Sequence, residues 1–443
     1  QPVAEIGQFA GQPFTKIAHR PFPISSIWPY MRQRNRIGKM RLLAGLLFLI
    51  SSLAPLSAAT FEGSRDISLD IWNTWPEESS WSDETALFPF PEWRRTLKAD
   101  DIKALKEAGY DFVRLPIDPA PFLSDSAEAH RDRLYAETDA AIAMVLDAGL
   151  SVLVDMHAIP GGGNRSIGTN EYLKKPELFE AYLAHLRRMA ALIKSRDPKR
   201  VALELFNEPT IDCDDAGTND WPDLMKQAFA AARASATKLT LVLSGACWGG
   251  AEGLAKIDAR DFPDGNLIWS FHSYDPFILT HQGATWAGDF MPHVTGLPFP
   301  LHGVAPDELR ALLDSVRSAI VRDAPRDRRD GHLDYLDEEI AKIATPKGME
   351  AAMGKSFAIA ADWAKANGVD PRDVMLGEFG MINQEYNRPT PVDPKSRAAY
   401  YAAQIKRAED LGFRWAAFAY GGAFALMRDW DGMRIDPVVK PGG

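Results

Sequence analysis

Leu203-Glu204-Leu205-Phe206-Asn207-Glu208-Pro209-Thr210 is an apolar run that ends abruptly in an amide, a carboxylate and a proline. Its apolar body predicts a buried strand, and Pro209, with no N–H for a further ladder, stops that strand. Glu208 is thereby placed at a strand's C-terminal edge. In a barrel of parallel strands that edge is where active sites are built, so a carboxylate there points to chemistry if neighbouring strands supply it with partners.

Working outward, short apolar runs alternate with helix-period stretches from Ala59 onward, the pattern of a parallel sheet with crossover helices. Ser68 to Trp72 reads as the first strand, Asp111 to Pro116 as the second, Ser151 to His157 as the third and Val201 to Asn207 as the fourth. Leu239 to Ser244, Asn266 to His272, Val374 to Glu378 and Phe413 to Tyr420 complete eight. This predicts an α/β fold, a closed (β/α)8 TIM barrel, with a long insertion from Ser273 to Asp373 between strands six and seven. The first part of the insertion, Asp275 to Pro306, is rich in Pro, Gly, His and aromatics and reads as a lid or cleft wall. The charged part, Asp314 to Asp330, reads as a solvated helix end and loop.

Residues 1 to 30 carry five prolines and no sustained period, so no element is assigned there. Next, Arg32, Arg34, Arg36, Lys39 and Arg41 precede the apolar Leu42 to Ile50, which runs into small residues ending at Ala59. Residues 31 to 59 therefore read as a secretory signal peptide and predict a secreted or periplasmic protein. The apolar stretch is short for a bilayer, and Pro55 interrupts its end. Residues 60 to 443 are expected to form one catalytic domain, acting as a monomer.

The 443 residues, 46% of them hydrophobic, are enough for a sizeable core, and a net charge of −10 argues against a nucleic-acid binder. The expected partner is neutral or small. Two cysteines, Cys213 and Cys247, exclude a disulfide-rich scaffold and a four-cysteine zinc site. Both follow predicted strands, and either one bridge or two free thiols fits.

The last inward residues of each strand should converge on one rim, and they are not apolar. Strand two gives Arg114, strand three His157, strand four Asn207 and Glu208, strand six His272 with Tyr274, and strand seven Glu378. Two carboxylates on facing strands fit glycoside hydrolysis, one protonating the leaving oxygen and the other attacking the sugar carbon or directing water to it. The acid must hold a proton near neutrality; the nucleophile must stay ionised and would gain from a cation such as Arg114.

Asn207-Glu208-Pro209, Glu378 within Gly377-Glu378-Phe379-Gly380, His272-Ser273-Tyr274, Arg114 within Val113-Arg114-Leu115-Pro116, and His157 at the end of strand three resemble glycoside hydrolase family 5, the cellulase-like retaining enzymes. The resemblance spans about Phe61 to Tyr420. It implies a double displacement on a β-linked polysaccharide or oligosaccharide, with Glu208 as acid/base and Glu378 as nucleophile, their carboxyls about 5 to 5.5 Å apart, and no metal or organic cofactor. It further implies that Tyr274 touches the nucleophile and that Arg114, His157, Asn207 and His272 shape the sugar site. Strand eight departs from the pattern. The family usually ends it in a sugar-stacking tryptophan, and here Phe418 stands in that place. The platform is thus expected from Phe418 or Tyr420, or from a loop tryptophan such as Trp248 or Trp286.

Asp155 and Glu204 lie two and four residues before His157 and Glu208, so alternation points them into the barrel as buried support for Arg114. Gly161-Gly162-Gly163 lacks the ending of a phosphate loop and reads as cleft rim. His281, His293 and His302 show no metal-ligand spacing. Trp72, Trp75, Trp81 and Trp93 either supply outer sugar subsites or cover one end of the barrel. Rival readings are a non-catalytic carbohydrate-binding barrel, a mannan or other β-glycan specificity, and a metal-dependent hydrolase built on Asp155, His157 and His272.

Overall fold

The computed structural model describes residues 59–70, 75–88, 97–161, 165–213, 218–385 and 391–428, together with 434 and 441. The expected tail over 1–30, the expected signal peptide up to residue 58, Trp72, Trp93 and two of the three loop glycines, Gly162 and Gly163, lie outside the described residues.

Eight parallel strands close into a barrel in sequence order: β1 Arg65–Ile67, β2 Phe112–Ile117, β3 Ser151–Met156, β4 Val201–Glu204, β5 Thr240–Ser244, β6 Leu267–His272, β7 Val374–Phe379 and β8 Arg414–Ala417. β1 pairs with β8 through Asp66 and Ala416, which completes the ring. Helices run between the strands. Several begin with proline at the first turn, at Pro176, Pro306, Pro346 and Pro394, where its missing N–H costs nothing.

Inside the barrel the side chains form layers, as strand alternation requires. The lowest layer is apolar: Phe112, Leu153, Ala202, Val242, Ile268, Met375 and Ala416, one from each strand from β2 to β8, with Phe61 as the plug. The Phe61 ring meets Phe112 edge-on at 5.4 Å. Two residues further along the same strands the layer turns polar, with Arg114, Asp155, Glu204, Ser244 and Ser270 all buried. The outer faces of the strands pack against the helices in a second, larger apolar cluster.

Two strand boundaries differ from the sequence reading in ways that matter for the site. The first strand is Arg65–Ile67, not Ser68 to Trp72. Two of its three residues are charged, and Asp66 points into the barrel and accepts the Arg114 N–H at 2.6 Å, so an apolar criterion misses it. β4 ends at Glu204, five residues before Pro209. Leu205 and Phe206 both join the helix-side cluster, so alternation fails there; Ser244 Oγ caps the Phe206 carbonyl at 2.6 Å and Asn207 N bonds the Met156 carbonyl at 3.1 Å.

Between β6 and β7, the segment 281–305 is tied to itself by one buried amide. The side chain of Gln282, fully buried, donates to the carbonyls of Leu279 and Leu297 and accepts from Leu297 N. Three helices follow, Pro306–Asp323, Arg329–Ile343 and Pro346–Asn367. The charged stretch from Asp314 begins inside the first of these, where its hydrophilic side chains lie on the solvent face.

Candidate active site

Arg114 is fully buried at the centre of the polar layer, and each end of its guanidinium has an acceptor. Nε donates to Glu204 Oε2 at 2.7 Å, Nη1 to Glu378 Oε1 at 2.6 Å, and Nη2 to Asn207 Oδ1 at 2.7 Å with Asp155 Oδ2 at 3.0 Å. One cation thus ties β2 to β3, the end of β4 and β7. Asp155 and Glu204 are the buried supports that alternation assigned them to be.

Glu378 reaches the cleft because β7 is irregular. Met375 belongs to the barrel interior, so strict alternation sends Glu378 outward. The ladder shifts register between Phe271 and His272, and again between Leu376 and Phe379, which pairs His272 with Glu378 and re-aims the carboxylate. Gly377 permits this: a Cβ there would stand 2.1 Å from Ser270 Oγ and 3.0 Å from His272 Nε2. Tyr274 Oη then donates to Glu378 Oε2 at 2.8 Å.

Glu208 lies opposite, with an oxygen within 4.8 Å of one on Glu378. It shares a hydrogen bond with His272 Nδ1 at 2.8 Å. The two carboxylates differ in access, the side chain of Glu208 being 23% exposed and that of Glu378 5%. His157 completes the floor: Nδ1 bonds Asp155 Oδ2 at 2.7 Å, and Asn207 Nδ2 lies 3.4 Å from Nε2. The Phe418 ring lies nearly parallel to that of His157, 6.3 Å away, and rests on Phe424.

The charges have a consistent direction. Burial alone would raise Glu378, but the positive charges of His272, Arg114 and His157 and the Tyr274 hydroxyl outweigh it and hold the carboxyl well below the usual range. Burial opposes the charging of His157, yet the Asp155 carboxylate and its hydrogen bond, with Glu378, lift it to about 9. His272 is lifted likewise against burial, by Glu378 and Glu208. One carboxylate held ionised and a second in reach of solvent is a pair able to attack and to transfer a proton.

Of the residues expected at the site, Arg114, His157, Asn207, Glu208, His272, Tyr274 and Glu378 converge, and Phe418 borders them. Tyr420 does not join them. The regular strand ends at Ala417, and beyond it counting by twos no longer holds; Tyr420 is buried, with its hydroxyl accepting from Arg428 Nε at 3.2 Å. Asp155, His157 and His272 do not form a metal cluster. The set among the described residues with ligand-like spacing is Glu208, His272 and Glu378. His281 is buried against Phe277, and burial depresses it to about 3. Trp75 and Trp81 are buried, while Trp248 is 48% exposed.

Asp70 was missed. It lies three residues past the true end of β1, at the rim, where Gly421 N donates to it at 3.3 Å. Burial pushes it up to about 8 against the pull of the Gly421 N–H and its own, and it feels both His157 and Glu378. With strand one placed at Ser68 to Trp72, Asp70 falls in mid-strand; its place as a carboxylate within an apolar stretch was the available signal.

A family model described as cellulase (glycosyl hydrolase family 5) matches residues 78–423 of the chain. The chain belongs to glycosyl hydrolase family 5. Endoglucanase 3 of Fibrobacter succinogenes is 25% identical over 351 residues, covering 75% of this chain and 47% of that protein. Endoglucanase C of Acetivibrio thermocellus is 24% identical over 221 residues, covering 50% and 62%. The chain therefore spans about half the length of the first of these and under two thirds of the second. The barrel also resembles that of Thermotoga maritima Cel5A in complex with cellobiose, with a TM-score of 0.56 at 19% identity over 84% of this chain and 94% of that one. Within this family 5 chain, the residue just past β8 is Phe418 rather than a tryptophan, and its ring lies nearly parallel to that of His157. Among the described residues, no helix is long and apolar enough to cross a membrane.

Proposed function

We propose that the protein hydrolyses a β-linked glucan with retention of configuration at the anomeric carbon. The observation that carries this reading is the carboxylate pair: oxygens of Glu208 and Glu378 within 4.8 Å, one carboxylate buried against Arg114 and Tyr274 and the other open to the cleft. Such a spacing suits direct attack by a carboxylate, since an inverting pair stands about 6.5 to 9.5 Å apart to admit a water. The relatives Endoglucanase 3 and Endoglucanase C support a β-glucan as the substrate class.

In this reading Glu208 gives its proton to the glycosidic oxygen as the C–O bond breaks, and an oxygen of Glu378 bonds to the anomeric carbon, forming a glycosyl ester. A water then loses a proton to Glu208 while its oxygen displaces Glu378. Both carboxyls return to their starting states. Arg114 and Tyr274 hold the two oxygens of Glu378, so its attack needs no reorganisation of the site. A secreted or periplasmic location fits both the basic-then-apolar stretch before Ala59 and the presence of a disulfide.

The test is hydrolysis of a soluble β-1,4-gluco-oligosaccharide by the wild type, Glu378→Gln and Glu208→Gln, with the first-formed anomer read by NMR. Retention in the wild type and a loss of at least about 10²-fold in each variant are expected. Inversion, or a variant of full activity, would sink the proposal.

A further inference from the structure

Among the described residues, three that are not glycine have a positive φ: Asp212 at 56°, Cys247 at 52° and Trp248 at 61°. All three lie where the chain leaving β4 past Glu208 meets the chain leaving β5. A side chain in this left-handed region is strained and persists only where its surroundings enforce it.

The surroundings here are two loops fastened together. Cys213 and Cys247 form a disulfide, with their Cα atoms 4.7 Å apart. Cys247 N donates to the Ile211 carbonyl at 3.1 Å, and Trp248 N to the Pro209 carbonyl at 3.0 Å, so the tryptophan's backbone is bonded to the residue directly after Glu208. Asp212 is buried; its carboxylate accepts from Trp221 N at 2.8 Å and its carbonyl from Lys256 Nζ at 3.1 Å. On the far side Gly249 turns the chain so closely over His272 that a Cβ would stand 3.1 Å from the imidazole. Trp248 is therefore held between the loop of Glu208 and its partner His272, yet its side chain is left 48% exposed. An exposed indole on a backbone held in this way offers a surface for the apolar face of a pyranose ring.

We infer that the Cys213–Cys247 bond is a positioning device for the leaving-group side of the cleft, holding the Trp248 indole beside Glu208 so that the sugar being expelled stacks on it. The inference rests on the reading of Glu208 as the acid/base. Cys213 is exposed, so a reductant can reach the bond. Without the bond, the left-handed conformations at Cys247 and Trp248 relax and the indole leaves its place.

Two substrates separate this from a general loss of structure: a β-1,4-gluco-oligosaccharide, whose leaving group is a sugar, and a β-cellobiosyl fluoride, whose leaving group has no ring. For Cys213→Ser/Cys247→Ser, and for the reduced wild type, the ratio of oligosaccharide to fluoride kcat/KM should fall about tenfold, the size of one stacking contact, with the change in the KM of the oligosaccharide. Trp248→Ala, an exposed truncation that does not depend on the disulfide for folding, should give the same fall, and combining it with the cysteine pair should add nothing further. An unchanged ratio in the cysteine variant or in Trp248→Ala, a parallel loss on both substrates, or additive effects would overturn the inference. A wild type inert on both substrates would overturn the glycosidase reading and this inference with it; a wild type active on both isolates the inference for its own test.

Discussion

Arg114 Nη1 stands 2.6 Å from Glu378 Oε1, while Glu204 and Asp155 hold the other ends of the same guanidinium. The position of the Glu378 carboxylate is therefore set by a cation that is itself fixed by two further carboxylates. Four contacts from three nitrogens, in three directions, suit a planar guanidinium and no other side chain.

Arg114→Lys should be far from conservative. An ammonium can follow Glu378 or Glu204 but not span both, and it leaves at least one buried carboxylate unpaired. Breaking a buried pair in this way costs about 3 to 5 kcal/mol, so thermal unfolding of the variant should begin at a clearly lower temperature. Circular dichroism melts check this. A variant that melts with the wild type would show that Glu204 and Asp155 do not depend on the arginine.

Glu204 lies on the opposite side of Arg114 from the cleft, and burial raises its carboxyl against the arginine's pull. Glu204→Gln keeps an oxygen for Arg114 Nε, whereas Glu204→Ala leaves that donor buried without an acceptor. Alanine should therefore cost more stability than glutamine, by about 1 to 3 kcal/mol, the penalty for an unmet buried polar group. Denaturant titrations of the two variants measure the difference, and equal midpoints would refute the role of this contact.

His157 sets an alkaline limit. Its folded value of about 9 lies above the ordinary 6.5 because Asp155 and Glu378 outweigh burial. A raised value means the charged imidazole stabilises the fold fully below about pH 6.5, and that this contribution disappears as pH rises through 9. The Tm of the wild type should fall between pH 7 and 10, and His157→Asn should flatten that fall. Parallel Tm profiles for the two proteins would show that another group is responsible.

Much of this site was legible in the sequence because chemistry and burial coincide. Arg114 lies within, His157 just past and His272 at the end of apolar strands that are buried on both faces, so a polar residue there stands out against its neighbours. Other features were hidden by local geometry. Two charged residues in Arg65–Ile67 concealed β1, and with it the rim position of Asp70. Alternation counted from Met375 points Glu378 away from the cleft; the register shift beside Gly377 turns it inward, so its place at the strand end indicated the rim where counting by twos does not. Tyr420 was placed by extending strand eight beyond Ala417, where the ladder has ended. The cysteine pairing was undecidable from spacing, since it depends on how two loops lie against each other above separate strands.

Asp70 gives the sharpest pH test, because its folded value of about 8 is far above the ordinary 3.8 and burial is the main cause. For an acid raised by folding, the contribution to stability is complete below about pH 3.8 and is lost progressively up to pH 8, as the unfolded chain ionises and the buried carboxyl resists. Asp70→Asn removes that penalty while keeping an oxygen for Gly421 N. The variant should therefore match the wild type near pH 4 and melt higher at pH 8. Activity should move with it. Above pH 8 the ionised Asp70 adds a negative charge beside Glu378 and His157, both of which it feels, and so changes the field around the carboxylate proposed as nucleophile. In Asp70→Asn the alkaline fall of kcat should lose the component centred near pH 8 and leave the one set by His157 near 9. Melts at pH 4 and 8, with a kcat profile from pH 6 to 10, measure both effects; a variant less stable than the wild type at pH 8, with an unshifted alkaline limb, would mean that Asp70 is held charged in the fold.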